Sequence, residues 1–177
     1  MTEGLYNKGE FYMKVIVLQG KTNSGKSSSL KYCFIEMLKD RRFTLLWKSR
    51  KQYDDNNAII KDIGDNWQND TGTYVRDISG VFEYNGKIIF IVTIGDSIED
   101  IKKQLNYRIA AEGKIDLFLC SRHNNNDINA ELADMNLDIS NVITISKSRE
   151  TDVKKYKSAN KETGKVLFDE IVNQLKE

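Results

Sequence analysis

Residues 20 to 27 read Gly-Lys-Thr-Asn-Ser-Gly-Lys-Ser, and their flanks narrow what the first forty residues can become. Ahead of Gly20 lies an apolar run, Met13, Val15, Ile16, Val17 and Leu18, with the character of a buried strand. Beyond Gly25, Leu30, Cys33, Phe34, Met37 and Leu38 recur at i, i+3, i+4, i+7 and i+8, one face of an amphipathic helix. The spacing G-x-x-x-x-G-K-S therefore sits between a strand and a helix. Two glycines let the backbone curl so that successive N–H groups point inward, and the positive end of the helix falls on the same spot. Such a cup suits the oxygens of a phosphate chain. Lys26 would set an ammonium on the β- and γ-phosphates, and the Ser27 hydroxyl would hold a Mg²⁺ ion. In the competing reading the glycines serve only a tight turn, and the matching flanks weigh against it.

On these residues the chain resembles the P-loop NTPase superfamily, over roughly residues 13–40. The resemblance implies a nucleoside triphosphate site, with Gly20, Lys21, Thr22, Asn23, Ser24, Gly25, Lys26 and Ser27 wrapped around the β-phosphate. It also implies that Ser28, after the Mg²⁺-binding serine, touches the α-phosphate. A reaction does not follow, because kinases, switches, motors and transport ATPases share this loop.

The chain of 177 residues suits one domain, 1–177, and 40% hydrophobic residues suffice for a core. A net charge of +1 argues against a dedicated nucleic-acid binder, which carries a basic excess. Cys33 and Cys120 each lie in an apolar run, as buried free thiols do, and one histidine, His123, excludes a multi-histidine metal site. No run approaches the apolar length of a membrane span, and the first residues lack the pattern of a signal peptide, so a cytoplasmic location is expected.

The remaining pattern alternates strands with helices. Phe43 to Trp47 reads as a strand, and a short helix is expected around 56–64 within a polar region, 48–74. Two strand-like runs, Val75 to Tyr84 and Lys87 to Ile94, flank Asn85-Gly86, a type I′ hairpin signal. The second run is apolar without alternation, as a central strand covered on both faces would be. A helix bearing Ile98, Ile101, Leu105 and Ile109 stops at Gly113, and a buried strand follows from Ile115 to Cys120. A short helix over Asn126 to Met135, a strand over Val142 to Ile145 and a last helix with Phe168, Ile171, Val172 and Leu175 inward complete the chain. The expected fold is α/β: a mostly parallel sheet, helices on both faces, P-loop NTPase-like, with one antiparallel hairpin arm.

Asp96 ends the most apolar strand, where P-loop proteins place a carboxylate that binds Mg²⁺ directly or through water. Lys26 and Asp96 are thus the candidate catalytic residues, and Ser27 and Asp96 the candidate Mg²⁺ ligands. Asp96-Ser97-Ile98-Glu99 reads equally as a helix start capped by Asp96. Asp77, on the preceding hairpin arm, is the second carboxylate. An antiparallel strand beside this one resembles the layout of Ras-like GTPases. The Asp-x-x-Gly and Asn-Lys-x-Asp marks of those proteins are missing, Asn124-Asn125-Asn126-Asp127 being the nearest counterpart, so adenine is preferred to guanine.

Ligands of open α/β sheets sit beyond the carboxyl ends of the strands, which places Arg122 where it could flank base or phosphates. Lys48, Arg50 and Lys51 follow the second strand, where nucleotide-type kinases hold the acceptor. The basic stretch from Lys147 to Lys165 reads as a phosphate-covering lid or, more commonly, a solvated face. The expected ligand is Mg²⁺-ATP. Two functions stay open, a small phosphotransferase acting on a small-molecule acceptor, placed first, and a nucleotide-dependent switch or ATPase module with a protein or nucleic-acid partner.

Overall fold

A computed structural model describes residues 12–49, 55–65, 77–94 and 97–176. The element order is β1 (Met13–Gly20), α1 (Lys26–Lys39), β2 (Thr44–Lys48), α2 (Asn56–Asp65), β3 (Ser79–Tyr84), β4 (Lys87–Val92), α3 (Ile98–Glu112), β5 (Leu117–Arg122), α4 (Ile128–Leu132), β6 (Ile139–Lys147) and α5 (Tyr156–Lys176). Single 3₁₀ turns follow α4 and precede α5. The six strands form one mixed sheet in the order β2-β3-β4-β5-β1-β6. β1 runs parallel to β5 and β6, and β4 parallel to β5. β3 is antiparallel to both β4 and β2, so it alone is reversed. The expected α/β class and mostly parallel sheet are present, with the hairpin as the antiparallel arm.

Local chemistry accounts for the turns. Asn85 and Gly86 take φ of 49° and 77°, the pair of positive angles that lets a two-residue turn follow the twist of its strands. Gly113 closes α3 at φ 80°, its N–H donating to Ile109 O. Alternation along each strand divides the core. Ile16 and Leu18 of β1, Ile89 and Ile91 of β4, and Leu117 and Leu119 of β5 pack under α1, α2 and α5. Val15, Val17, Phe90, Val92, Phe118 and Cys120 pack on the other face against Ile101 and Leu105 of α3 and Ile128 and Leu132 of α4. β4 is therefore covered on both faces, as its unbroken apolar run implied. β6 is the outer strand beside β1 and is longer than its apolar core, because Ser140, Asn141, Thr144 and Ser146 on its open edge are exposed.

α1 and α5 cross closely at Gly164. A Cβ there would lie 2.6 Å from Tyr32 Cβ and 2.9 Å from Ser29 O. The helices could not pack at this separation with any larger residue. This contact fixes the helix that begins at the glycine loop against the helix that follows β6.

Candidate functional site

The loop between β1 and α1 is built from residues that no others replace easily. Asn23 and Gly25 both adopt positive φ, 58° and 86°. Gly20 is packed so tightly that a Cβ would come 2.5 Å from Ser24 Oγ and 2.7 Å from Lys147 O. Gly25 is enclosed as well, since a Cβ would collide with Oδ1 of Asn160 on α5. Both glycines thus allow backbone to approach where a side chain would intrude.

α1 begins without a side-chain cap and without an acidic residue in its first turn. Its first helical bond runs from Ser29 N to Gly25 O at 2.9 Å, so the N–H groups of Lys26, Ser27 and Ser28 lie in the stretch a helix cannot satisfy itself. Lys26 is buried, and its Nζ donates to Gly20 O at 3.0 Å and Lys21 O at 2.8 Å. The ammonium is therefore held at the mouth of the loop, folded back over the backbone curl. Ser24 Oγ is buried there without a hydrogen bond. Lys21, Thr22 and Asn23 are exposed on the loop, and Ser27 and Ser28 are half-buried on the first turn of the helix.

A second buried lysine stands beside it. Lys147 pairs with Gly20 across β6 and β1, and its Nζ donates to Ala159 O at 3.3 Å. Loss of hydration holds its pKa below the ordinary lysine value. Among the described residues no carboxylate forms an ion pair with it. Two desolvated cations and an uncapped helix start thus converge on Gly20, an environment that favours an anion. Lys147 and Asn160 belong to this constellation, and no local sequence signal marks either. Lys147 looked like one charge in a basic stretch, while Asn160 reaches the loop only through the α1–α5 crossing. That stretch forms the end of β6, a 3₁₀ turn and the first turns of α5, with Lys154, Lys155, Lys161 and Lys165 exposed.

Arg122 is on the loop's rim, level with Gln19, but is held on the opposite face of the sheet. Its Nε donates to Glu131 Oε2 of α4 at 2.8 Å, with a second bond from Nη2 to Oε1. Asn126 Nδ2 also donates to Glu131, and Gln19 Nε2 donates to Asn126 O at 2.7 Å. To reach a phosphate Arg122 would have to leave Glu131. Asp127 caps α4, its side chain accepting from Asn129 N at 2.9 Å.

Asp96, Arg50 and Lys51 lie outside the described residues. One correction bears on Asp96. The cap of α3 is Ser97, whose Oγ accepts from Asp100 N at 3.2 Å, so Asp96 is not the cap that the sequence offered it as. Serine one position later satisfies the same orphan N–H groups. Lys48 ends β2, which is four strands from β1, roughly 19 Å at ordinary strand spacing. Asp77 lies just ahead of β3, paired with Lys31 of α1 at 3.2 Å. Among the described residues no three acidic, histidine or cysteine side chains converge on a metal site. A separate concavity between α3 and the turn after α4, lined by Lys102, Asn106, Tyr107 and Asp134, opens on the face away from α1. Comparison of the chain with protein-family models, with curated proteins and with solved structures gave no match.

Proposed function

We propose that the chain binds a nucleoside triphosphate as its Mg²⁺ complex, with ATP preferred, and cleaves the terminal phosphoryl group. The observation that carries the reading is Lys26 folded onto Gly20 O and Lys21 O, at the uncapped start of a helix entered through two positive-φ residues. In this P-loop NTPase-like reading the loop from Gly20 to Ser27 holds the β-phosphate, and Ser28 the α-phosphate. Lys26 neutralises charge that moves onto the bridging oxygen as the bond breaks. Mg²⁺ keeps most of its water and phosphate ligands, so Ser27 and one carboxylate suffice to hold it, and a dense acidic cluster is not required. Asp96 is the proposed carboxylate, released from capping duty by Ser97.

In this reading water is the nucleophile. Lys48 ends a strand four positions from β1, so an acceptor held by Lys48 itself would lie far from the γ-phosphate, and we place the ATPase or switch reading ahead of transfer to a small acceptor on that ground. The test is phosphate release and ATP consumption measured with and without a panel of nucleosides, nucleotides and other small acceptors. We expect slow, Mg²⁺-dependent release that no acceptor accelerates, and a weaker Mg²⁺ response in Asp96→Asn. Strong stimulation of ATP consumption by one acceptor, without matching phosphate release, would restore the phosphotransferase.

A further inference from the structure

We infer that Lys147 is a second phosphate-binding cation and takes the α-phosphate, an inference that rests on the function just proposed. That function uses Lys26 and leaves Lys147 without a role. The two lysines are equally buried, at 8% exposed each. Lys26 Nζ donates to backbone carbonyls at 3.0 and 2.8 Å, whereas Lys147 Nζ, among the described residues, has only Ala159 O, at 3.3 Å. An ammonium carries three donors, so two are left over. Glu150 and Glu162 are near enough to favour the charged form, yet among the described residues neither closes an ion pair with it. Glu150 Oε1 is already held by Thr151 N and Asp152 N, both at 2.9 Å. Nor does Ala159 O depend on Lys147, since Thr163 Oγ1 donates to the same oxygen at 3.0 Å. A cation taken out of water and left this short of partners costs stability until an anion arrives.

Lys147 is built into the loop. It pairs with Gly20 across β6 and β1, and alternation from Ile143 and Ile145 puts its side chain on the face that carries α1 and α5. A Cβ on Gly20 would lie 2.5 Å from Ser24 Oγ and 3.3 Å from Lys147 Cβ, so the two side chains share one small space. Ser24 is 5% exposed, and its Oγ is buried there without a hydrogen bond. A hydroxyl and an ammonium with donors to spare, beside the same glycine, suit one anionic oxygen.

The first turn of α1 decides which phosphate lies there. Asn160 abuts Gly25 and Gly164 abuts Ser29 O, so Gly25 and Ser29 face α5. At 3.6 residues per turn, Ser27 then points to the opposite side of α1, and Ser28 to the flank between. Mg²⁺ and the β- and γ-phosphates belong with Ser27, away from α5. The α-phosphate belongs with Ser28, nearer the side where Lys147 is bonded to the residue before Asn160.

The test titrates Mg²⁺-ATP and Mg²⁺-ADP by calorimetry into wild type, Lys147→Met and Lys147→Arg, with urea unfolding of each protein free of nucleotide. Methionine keeps the apolar stem and removes the charge. We expect Lys147→Met to lose about 10- to 100-fold in affinity, the scale of one charge-assisted hydrogen bond. The loss should be equal for ATP and ADP, which share the α-phosphate. Its urea midpoint should hold or rise, because a desolvated charge has gone. Lys147→Arg, which keeps the charge, should retain part of the affinity. Wild-type affinity in Lys147→Met would overturn the assignment and leave the nucleotide site standing. A loss confined to ATP would also overturn it, by placing the lysine at the γ-phosphate. So would lost affinity together with a lower midpoint, the mark of a lysine that only braces the loop. Absence of binding in the wild type defeats the proposed function itself, and the role of Lys147 falls with it.

Discussion

At the scale of single residues, the glycine loop was readable because each of its members does local work. Gly25 supplies a positive φ, Lys26 a cation, and Ser27 a hydroxyl within the first turn, and none of this depends on distant sequence. Residues whose role depends on parity or on a neighbouring element were not readable. Arg122 and Ser121 are adjacent, yet one faces α4 and the other α1, and only the packed sheet reveals which face carries α1. Lys31 looks like a charge interrupting an apolar stripe, and its partner Asp77 is 46 positions away. Cys33 and Cys120 were legible as buried thiols, and both are. Burial pushes both pKa values up, that of Cys120 from 9.0 to about 12. Tyr32 is raised likewise, from 10.0 to about 12. A folded pKa above the unfolded one means that the native state keeps its proton longer. Stability is then intact below pH 9.0 and is lost as pH rises toward about 12. Lys147, with its lowered pKa, opposes this over part of the range, one group against three. Urea unfolding across alkaline pH should show falling stability, with a shallower fall in the double variant Cys33→Ser with Cys120→Ser. An equal slope in both proteins would contradict the burial argument.

At the scale of elements, strands and helices were legible where turn chemistry and periodicity agreed. Asn85-Gly86 and Gly113 marked boundaries that the structure keeps, and the unbroken apolar run of β4 announced a strand covered on both sides. The cap of α3 moved by one residue because Asp96 and Ser97 are both good caps and local sequence does not choose between them. β6 was underestimated, since its polar outer edge hides the strand. Gly164 matters to the site because it lets α5 approach α1 and bring Asn160 against Gly25. Gly164→Val should therefore cost about 1–3 kcal/mol by overpacking. It should also weaken nucleotide binding, because Asn160 lies one turn from the forced separation. A urea midpoint and an ATP affinity equal to those of the wild type would show that the crossing does not set the loop.

At the scale of the whole molecule, the class was legible and the order of strands was not. Alternating strands and helices require a largely parallel sheet with helices on both faces. Only long-range pairing decides that β5 lies between β1 and β4, or that β2 returns to the far edge. That order moves Lys48 away from the loop and sets Lys147 of β6 beside it. The candidate site is therefore a product of topology as much as of motif, with one part, Asp96, beyond the described residues. Its central claim is that the loop from Gly20 to Ser28 binds a triphosphate through Lys26. The most direct test is calorimetric titration of Mg²⁺-ATP into the wild type and Lys26→Ala, with the thermal unfolding of both measured alongside. Lys26 leaves two loop carbonyls without their donor when it is removed, at a cost of about 1 kcal/mol each, so the fold should survive. The account predicts measurable binding in the wild type and none in a folded Lys26→Ala. Equal affinity in the two proteins, or no binding in either, would contradict it.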